Sequence, residues 1–487
     1  MITGIEIENF KGIGKDVQVP IRPITLLFGA NSAGKSTILH AMQYAYEVLV
    51  HQNLNADITE RGGNALNLGG FQNFVHDRDL SKTVSIAFEL NLEDAEDIPF
   101  FFPESHEDSN GEIDGDLSAY IKDAKISFSI AWDSREQRPQ VTEYCMDING
   151  QYAASIHHEV GRKEVVLRYD AKHPLAAIIW DGEYINAFEM WEDIQIANLS
   201  TAIPVWGKAL EYAIKPDSEY LTGGEFVMSQ VLAGVGEVFV SHLKRLRHIG
   251  PIRDIIPRHY EAVTSSVEGR WFEGRAAWDY LLTRATRADL KNINEWMMGG
   301  LNIGYEIAIS SFKETHPLKD NSFYSGQLKG FNDSLKSIGL HDPIKTQNFR
   351  FYDVGVGVSQ LMPIVVASLM GSTKILAVEQ PELHVHPSIQ VGLGDLFASQ
   401  IKERDCLFLI ETHSEHLILR LLRRIREASE GELPEGAPQI SHDDVSIVYV
   451  DNNEDGMKIT SIGITEDGGF TNRWPEGFFD ERAEELF

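Results

Sequence analysis

The stretch GANSAGKST, from Gly29 to Thr37, spaces its residues as G-x-x-x-x-G-K-S/T, and that spacing suits phosphate binding. Gly29 and Gly34 let the backbone curl so that N–H groups across Ala30, Asn31, Ser32 and Ala33 turn toward the phosphates of a nucleotide. A helix starting near Lys35 adds its positive end. Lys35 is then expected to reach the β- and γ-phosphates, and the Ser36 hydroxyl, followed by Thr37, to ligate Mg²⁺.

The second half of the chain carries the parts such a loop needs. KILAVE is an apolar run ending in Glu379, the place for a carboxylate that holds Mg²⁺. FLIETHS reads as a strand that delivers His413 to its end, within reach of a γ-phosphate, at the edge where open α/β sheets present ligands. FYDVGVGVSQLMPIV is a glycine loop, with Gly355 and Gly357, that runs into a helix at Ser359 and Gln360, where an anionic γ-phosphate is favoured. ATP and Mg²⁺ are the cofactors implied.

These residues need strands and helices to place them. GIEIENF alternates like a strand, and ITLLFG is the continuous apolar run of a buried parallel strand. STILHAMQYAYEVLV repeats at helical spacing, so strand, loop and helix frame the phosphate loop. Strands are expected again over 82–92 and across an antiparallel sheet from about Ala124 to Tyr169, with the acidic EDAEDIPFFFPESHEDSNGEIDGD a surface loop between them. The expected division is 1–95 as the first half of an ATPase head, 96–193 as acidic loop and antiparallel β region, and 194–345 as a mainly helical insertion. Residues 346–430 supply the second half of the head, and 431–487 two late strands with an acidic tail. The fold class is therefore α/β, a P-loop head split by a long β-then-helical insertion.

Bulk composition narrows the setting. A chain of 487 residues exceeds one ordinary core, and 43% hydrophobic with 24% charged residues is a globular balance. Two cysteines, Cys145 and Cys406, cannot build a disulfide framework, and no apolar run reaches the roughly 18 residues of a membrane helix, so a cytoplasmic protein without a membrane partner is expected. A net charge of −30 argues against a surface coated for nucleic acid. Two local basic stretches, His242 to Arg258 and Leu419 to Arg426, are either solvated helix faces or a DNA contact.

IEIENFKG, GANSAGKST, VGVGVSQL, ILAVEQPELHVHP and ETHSEHLI resemble the conserved blocks of ABC-type ATPases of the OLD, RecF and SMC clade. IGPIRDIIPRHY and the ending WPEGFFDE resemble an AAA-family ATPase group with its own C-terminal domain of unknown function. The resemblance implies a homodimer or larger homo-oligomer in which the signature loop, Gly355, Gly357, Ser359 and Gln360, closes in trans on ATP held by the other protomer. It places Gln72 in the Q-loop as a metal or water contact, and Glu382 to Pro387 in the D-loop at the dimer interface.

Most of the clade ends the second motif strand Asp-Glu, whereas this chain reads Glu379-Gln380. Gln380 can orient a water but cannot take its proton, so slow hydrolysis is expected. Hydrolysis through Glu382 and binding without turnover are the alternatives. His384, His386, His413 and His416 also permit a zinc reading. The leading function is a dimerising ATP switch in phage defence or DNA repair, with a separate effector such as a nuclease. A DNA-gripping RecF-like ATPase and a non-hydrolysing ATP-dependent scaffold are the competing readings.

Overall fold

The computed structural model describes all residues except 61–65, 94–97, 100, 102–116, 171, 176–192, 214–224, 226, 258–259, 265–267, 313–334, 454–455 and 476–487. Most of the expected acidic loop, the two acidic residues of the last hairpin turn, and the ending beyond Pro475 lie outside the described residues.

The three apolar runs form the strands β3 (Ile24–Phe28), β14 (Ile375–Glu379) and β15 (Leu407–Glu411), and every residue of each is buried. Burial on both sides is what makes such strands unbroken hydrophobic runs instead of alternating ones. They belong to a six-stranded sheet in the order β10, β14, β15, β3, β16, β17, where β10 is Leu246–Ile249, β16 is Val445–Asn453 and β17 is Gly456–Ile462. All neighbours run parallel except the β16–β17 hairpin.

Alternation along each strand divides its side chains between two cores. Leu27, Ala377 and Leu409 face one core, which includes Ile38, Leu39 and Met42 of helix α1 (Lys35–His51). Leu26, Phe28, Leu376, Val378, Phe408 and Ile410 face the other. That second core takes in helices α6 (Val356–Leu369), α7 (Pro387–Arg404) and α8 (Glu415–Glu430). Full burial of a side chain the size of Leu26 or Phe28 is worth about 1.5–3 kcal/mol, so the sheet is a rigid platform for its strand ends.

The first core is closed by an eight-stranded antiparallel sheet in the order β2, β1, β4, β5, β6, β7, β8, β9. Its members include β1 (Ile2–Glu8), β2 (Val17–Pro20), β4 (Val84–Asn91), β5 (Asp123–Asp133), β6 (Arg138–Ile148), β7 (Gln151–His158), β8 (Val165–Tyr169) and β9 (Ile194–Gln195). The antiparallel region expected at Ala124 to Tyr169 thus continues the sheet begun by β1 and β4.

Residues 194–345 differ from the mainly helical expectation. Helices α3 (Val235–Leu243), α4 (Arg275–Thr283) and α5 (Arg287–Glu295) are present. The same span also gives β10 to the parallel sheet, and β11 (Glu306–Phe312) and β12 (Leu335–Asp342) to a three-stranded antiparallel sheet with β13 (Gln347–Phe349). Short apolar runs carry too few residues for period 2 to be told from period 3.6. The late strand β16 likewise lies beside β3 inside the head, with Val445 opposite Ile24 and Tyr449 opposite Phe28. Among the described residues, no helix is long and apolar enough to cross a membrane.

Candidate functional site

The phosphate loop leaves the carboxyl end of β3. Gly29, Ser32 and Gly34 take φ of 144°, 64° and 100°. Gly29 is required for space as well as conformation, since a Cβ there would run into the Val450 carbonyl oxygen, whereas Gly34 is required for its φ and lies against the movable end of the Met457 side chain. Ala30, Asn31 and Ser32 are exposed at the crest, whereas Ala33, Lys35 and Thr37 are buried. Lys35, only 3% exposed, donates from Nζ to the carbonyls of Gly29 (3.0 Å) and Ala30 (2.8 Å), and burial lowers its pKa while Glu411 and Glu382 oppose that shift.

Two carboxylates stand side by side at the ends of adjacent strands, because Glu379 of β14 pairs in register with Glu411 of β15. They face different partners. The Ser36 hydroxyl donates to Glu411 Oε2 at 2.5 Å, and Lys35 Nζ is 4.0 Å from Glu411 Oε1. Glu379 Oε1 instead lies 2.9 Å from His248 Nε2 and 3.7 Å from His40 Nε2, and Lys11 Nζ is 2.5 Å from His40 Nδ1. Burial alone would raise the Glu379 carboxyl, but the His248 hydrogen bond and the adjacent His40 together outweigh it and bring it down to about 2. Burial pushes the His40 imidazole down to about 4 and Lys11 down to about 8. Burial pushes the Glu411 carboxyl up, against its bond from Ser36.

Gln380 begins the turn after β14 with φ of 45°, and its N–H donates to the Glu411 carbonyl at 2.8 Å. Arg253 pins this turn from below: its Nη2 donates to the carbonyls of Glu379 (2.5 Å) and Gln380 (3.2 Å). The Arg253 side chain is almost wholly buried, and burial lowers its pKa to about 10 against the pull of Glu382 and Glu379. Both Glu382 oxygens are engaged: Oε2 accepts from Thr412 Oγ1 (2.8 Å) and Oε1 from the His413 N–H (2.7 Å). Glu382 therefore braces the loop that carries His413, whose imidazole pKa is lowered by burial and then by Lys35.

The signature loop is exposed at its start and buried further along. Gly355 and Val356 are exposed at the uncapped start of α6, but Ser359 and Gln360 are buried within their own protomer. Ser359 Oγ donates to the Phe351 carbonyl at 3.4 Å, and Gln360 is spent on the Arg253 backbone. In the single protomer those two side chains face inward. Gly357 packs so closely on the turn after β14 that a Cβ would meet the His384 carbonyl oxygen.

Gln72 is exposed on α2 (Phe71–Phe74) and lines a surface cavity of about 430 Å³ with Asn55, Asp57, Trp132 and Arg138, none of them phosphate-loop residues. His384, His386 and His416 are exposed, and among the described residues no group of three His, Cys, Asp or Glu side chains is placed to hold a metal ion. Two arginines of the basic stretches are committed inside the protomer. Arg253 is buried under the Glu379–Gln380 turn, and Arg424 is bound to Asp395 and Glu427.

Sequence reasoning missed Glu411, His248, His40, Lys11 and Arg253. Glu411 carried the same signal as Glu379, an acid closing an apolar strand, and stands immediately before the Thr-His pair that drew attention instead.

A parallel α/β sheet whose strand ends gather a phosphate loop, its lysine and serine, and two carboxylates defines a P-loop ATPase head. The chain belongs to the AAA ATPase domain family, which matches residues 1–163 and 282–418. Residues 440–487 match a second family, described as a protein of unknown function (DUF3696). The family match bears out the resemblance of the motifs to ABC-type ATPases.

Three solved structures cover nearly all of this chain. One is an Smc head bound to the C-winged helix domain of ScpA, 15% identical with a TM-score of 0.43, over 96% of this chain and 98% of that one. Another is the SMC head domain from Thermotoga maritima, 9% identical with a TM-score of 0.39, over 95% and 99%. The third, from Pyrococcus furiosus, is an Smc head with an extended coiled coil bound to the C-terminal domain of ScpA, 12% identical with a TM-score of 0.39, over 95% and 96%. No curated protein matches the chain.

Proposed function

We propose that this ATPase binds Mg²⁺-ATP at Gly29 to Thr37, hydrolyses it slowly, and uses the bound nucleotide to close a homodimer. The observation that carries the reading is the convergence of Lys35 and Ser36 on the strand-end carboxylate Glu411, with Glu379 in register beside it. The donors fit a hard cation of this kind, since Mg²⁺ in such sites takes a hydroxyl, one or two carboxylates and the phosphates. When bound, the cation would neutralise charge developing on the γ-phosphate.

Slow turnover follows from Gln380, which has no carboxylate to accept a proton, and from Glu382, whose two oxygens already brace Thr412 and His413. Support for dimer closure comes from the exposed start of α6 at Gly355 and Val356, where a helix N-terminus favours an anionic phosphate. The clade resemblance supports a cytoplasmic role in phage defence or DNA repair beside a separate effector such as a nuclease.

Steady-state ATP turnover of the full chain, with Lys35→Ala as the blank, tests the reading. Slow phosphate release above that blank, with nucleotide-dependent dimerisation, is the expected result. Bound ATP without release would leave a nucleotide-held scaffold instead, and absence of binding would remove the function altogether.

A further inference from the structure

Of the two acids at the sheet edge, the one that sequence logic assigns to the metal is not the one beside the metal-binding serine. Ser36 Oγ donates to Glu411 Oε2 at 2.5 Å, and Lys35 Nζ lies 4.0 Å from the other oxygen of the same carboxylate. Glu379, in register one strand away, is turned toward His248 at 2.9 Å and His40 at 3.7 Å. His40 follows Ser36 by one helical turn on α1, so the two carboxylates address successive turns of one helix.

We propose that Glu411, together with the Ser36 hydroxyl, holds the nucleotide-bound divalent cation, while Glu379 is a buried anion that fixes His248 and His40 beneath the phosphate loop. This rests on the nucleotide reading above. The chemistry agrees with it. A divalent cation that keeps phosphate ligands needs a hydroxyl and a carboxylate side by side, and Ser36 and Glu411 are already so placed. Glu411 is fixed at its backbone, since its own carbonyl accepts from the Gln380 N–H at 2.8 Å, and its side chain is 9% exposed.

The test is binding of adenylyl imidodiphosphate to the full chain, measured with Mg²⁺ and with EDTA. The ratio of the two affinities is the metal enhancement. Glu411→Gln is expected to cut that enhancement by about tenfold or more while affinity in EDTA holds or improves, because a negative charge beside the phosphates is gone. Ser36→Ala is expected to cut it too, and the double variant to lose little beyond the larger single loss, as for two groups acting on one ion. Glu411→Asp keeps the charge and is expected to retain part of the enhancement, and it carries the test should the glutamine variant not fold.

An undiminished enhancement in Glu411→Gln, strictly additive losses in the double variant, or loss of the enhancement in Glu379→Gln with Glu411→Gln unaffected would each overturn the assignment. Failure of the wild-type chain to bind the nucleotide under either condition would overturn the nucleotide reading, and this inference with it. Binding with an enhancement indifferent to Glu411 would overturn the inference alone.

Discussion

Gln360 grips the backbone of Arg253 from both sides, accepting from the Arg253 N–H at 3.1 Å and donating to the Arg253 carbonyl through Nε2. Arg253 in turn reaches the carbonyls of Glu379 and Gln380. The helix whose start is exposed at Gly355 is thus two side chains away from the turn that ends β14. A shift of α6 has a direct physical route to Gln380.

Gln360→Ala should therefore separate chemistry from binding. It leaves buried peptide groups of Arg253 without partners, a loss of about 1–3 kcal/mol, visible as a lower melting temperature. Turnover should fall by about tenfold while nucleotide affinity changes little, because no phosphate-loop contact is touched. Wild-type turnover in a folded Gln360→Ala protein would show that the clasp transmits nothing.

Much of this arrangement was legible from residue patterns, and the failures have physical causes. Strands β3, β14 and β15 announce themselves because each is apolar but for Thr25 and the closing Glu379 and Glu411, and the phosphate loop because its glycines take positive φ. Strand β10 hides, since Leu246–Ile249 carries Arg247 and His248, which look like surface residues until Glu379 supplies a partner for the histidine. Arg253 was read as part of a basic face for the same reason, as buried arginines are rare. The Ser36–Glu411 contact joins opposite ends of the chain, and no local pattern encodes it.

Lys35→Ala removes a buried ammonium that crosses its own loop to Gly29 and Ala30. A charged hydrogen bond is worth about 1.5–3 kcal/mol, so nucleotide affinity should drop by about 10- to 100-fold. Calorimetric titration reads this directly, and an unchanged dissociation constant would place the phosphates elsewhere.

Gln380→Glu tests what limits turnover. Arg253 and the Glu411 carbonyl hold the Gln380 backbone, so the substitution leaves the turn's anchors in place and adds a proton acceptor. A positioned base contributes about 10²- to 10⁴-fold, and a rise in turnover of at least about tenfold is expected. No rise would move the slow step to nucleotide exchange or dimer opening.

The cysteines give a prediction in pH. Burial pushes the thiols of Cys145 and Cys406 each up to about 12. Both are neutral near pH 8 and gain reactive thiolate only as pH rises toward that value, whereas an unfolded cysteine titrates near about 8.5. Iodoacetamide at pH 8 should label the native chain far more slowly than the chain in guanidinium. Rapid labelling of one native thiol would contradict the packing around β6 or β15.

The C-terminal family segment should be indispensable to the head. Residues 440–487 contain β16, which pairs with β3 at each register position from Val445–Ile24 to Tyr449–Phe28. They also supply the Val450 carbonyl that presses on Gly29, the Met457 side chain that presses on Gly34, and Trp474, edge-on to Phe28 at 5.2 Å. A chain ending at residue 439 would expose the inner edge of β3, a row of unpaired backbone groups on an apolar strand, and would lose the surface that shapes the phosphate loop. Such a truncation is expected to be insoluble, or soluble without nucleotide binding. A soluble truncated protein that binds the nucleotide with wild-type affinity would mean that β3 and its loop hold their shape without β16, and that the segment is an attachment to the ATPase and no part of its core.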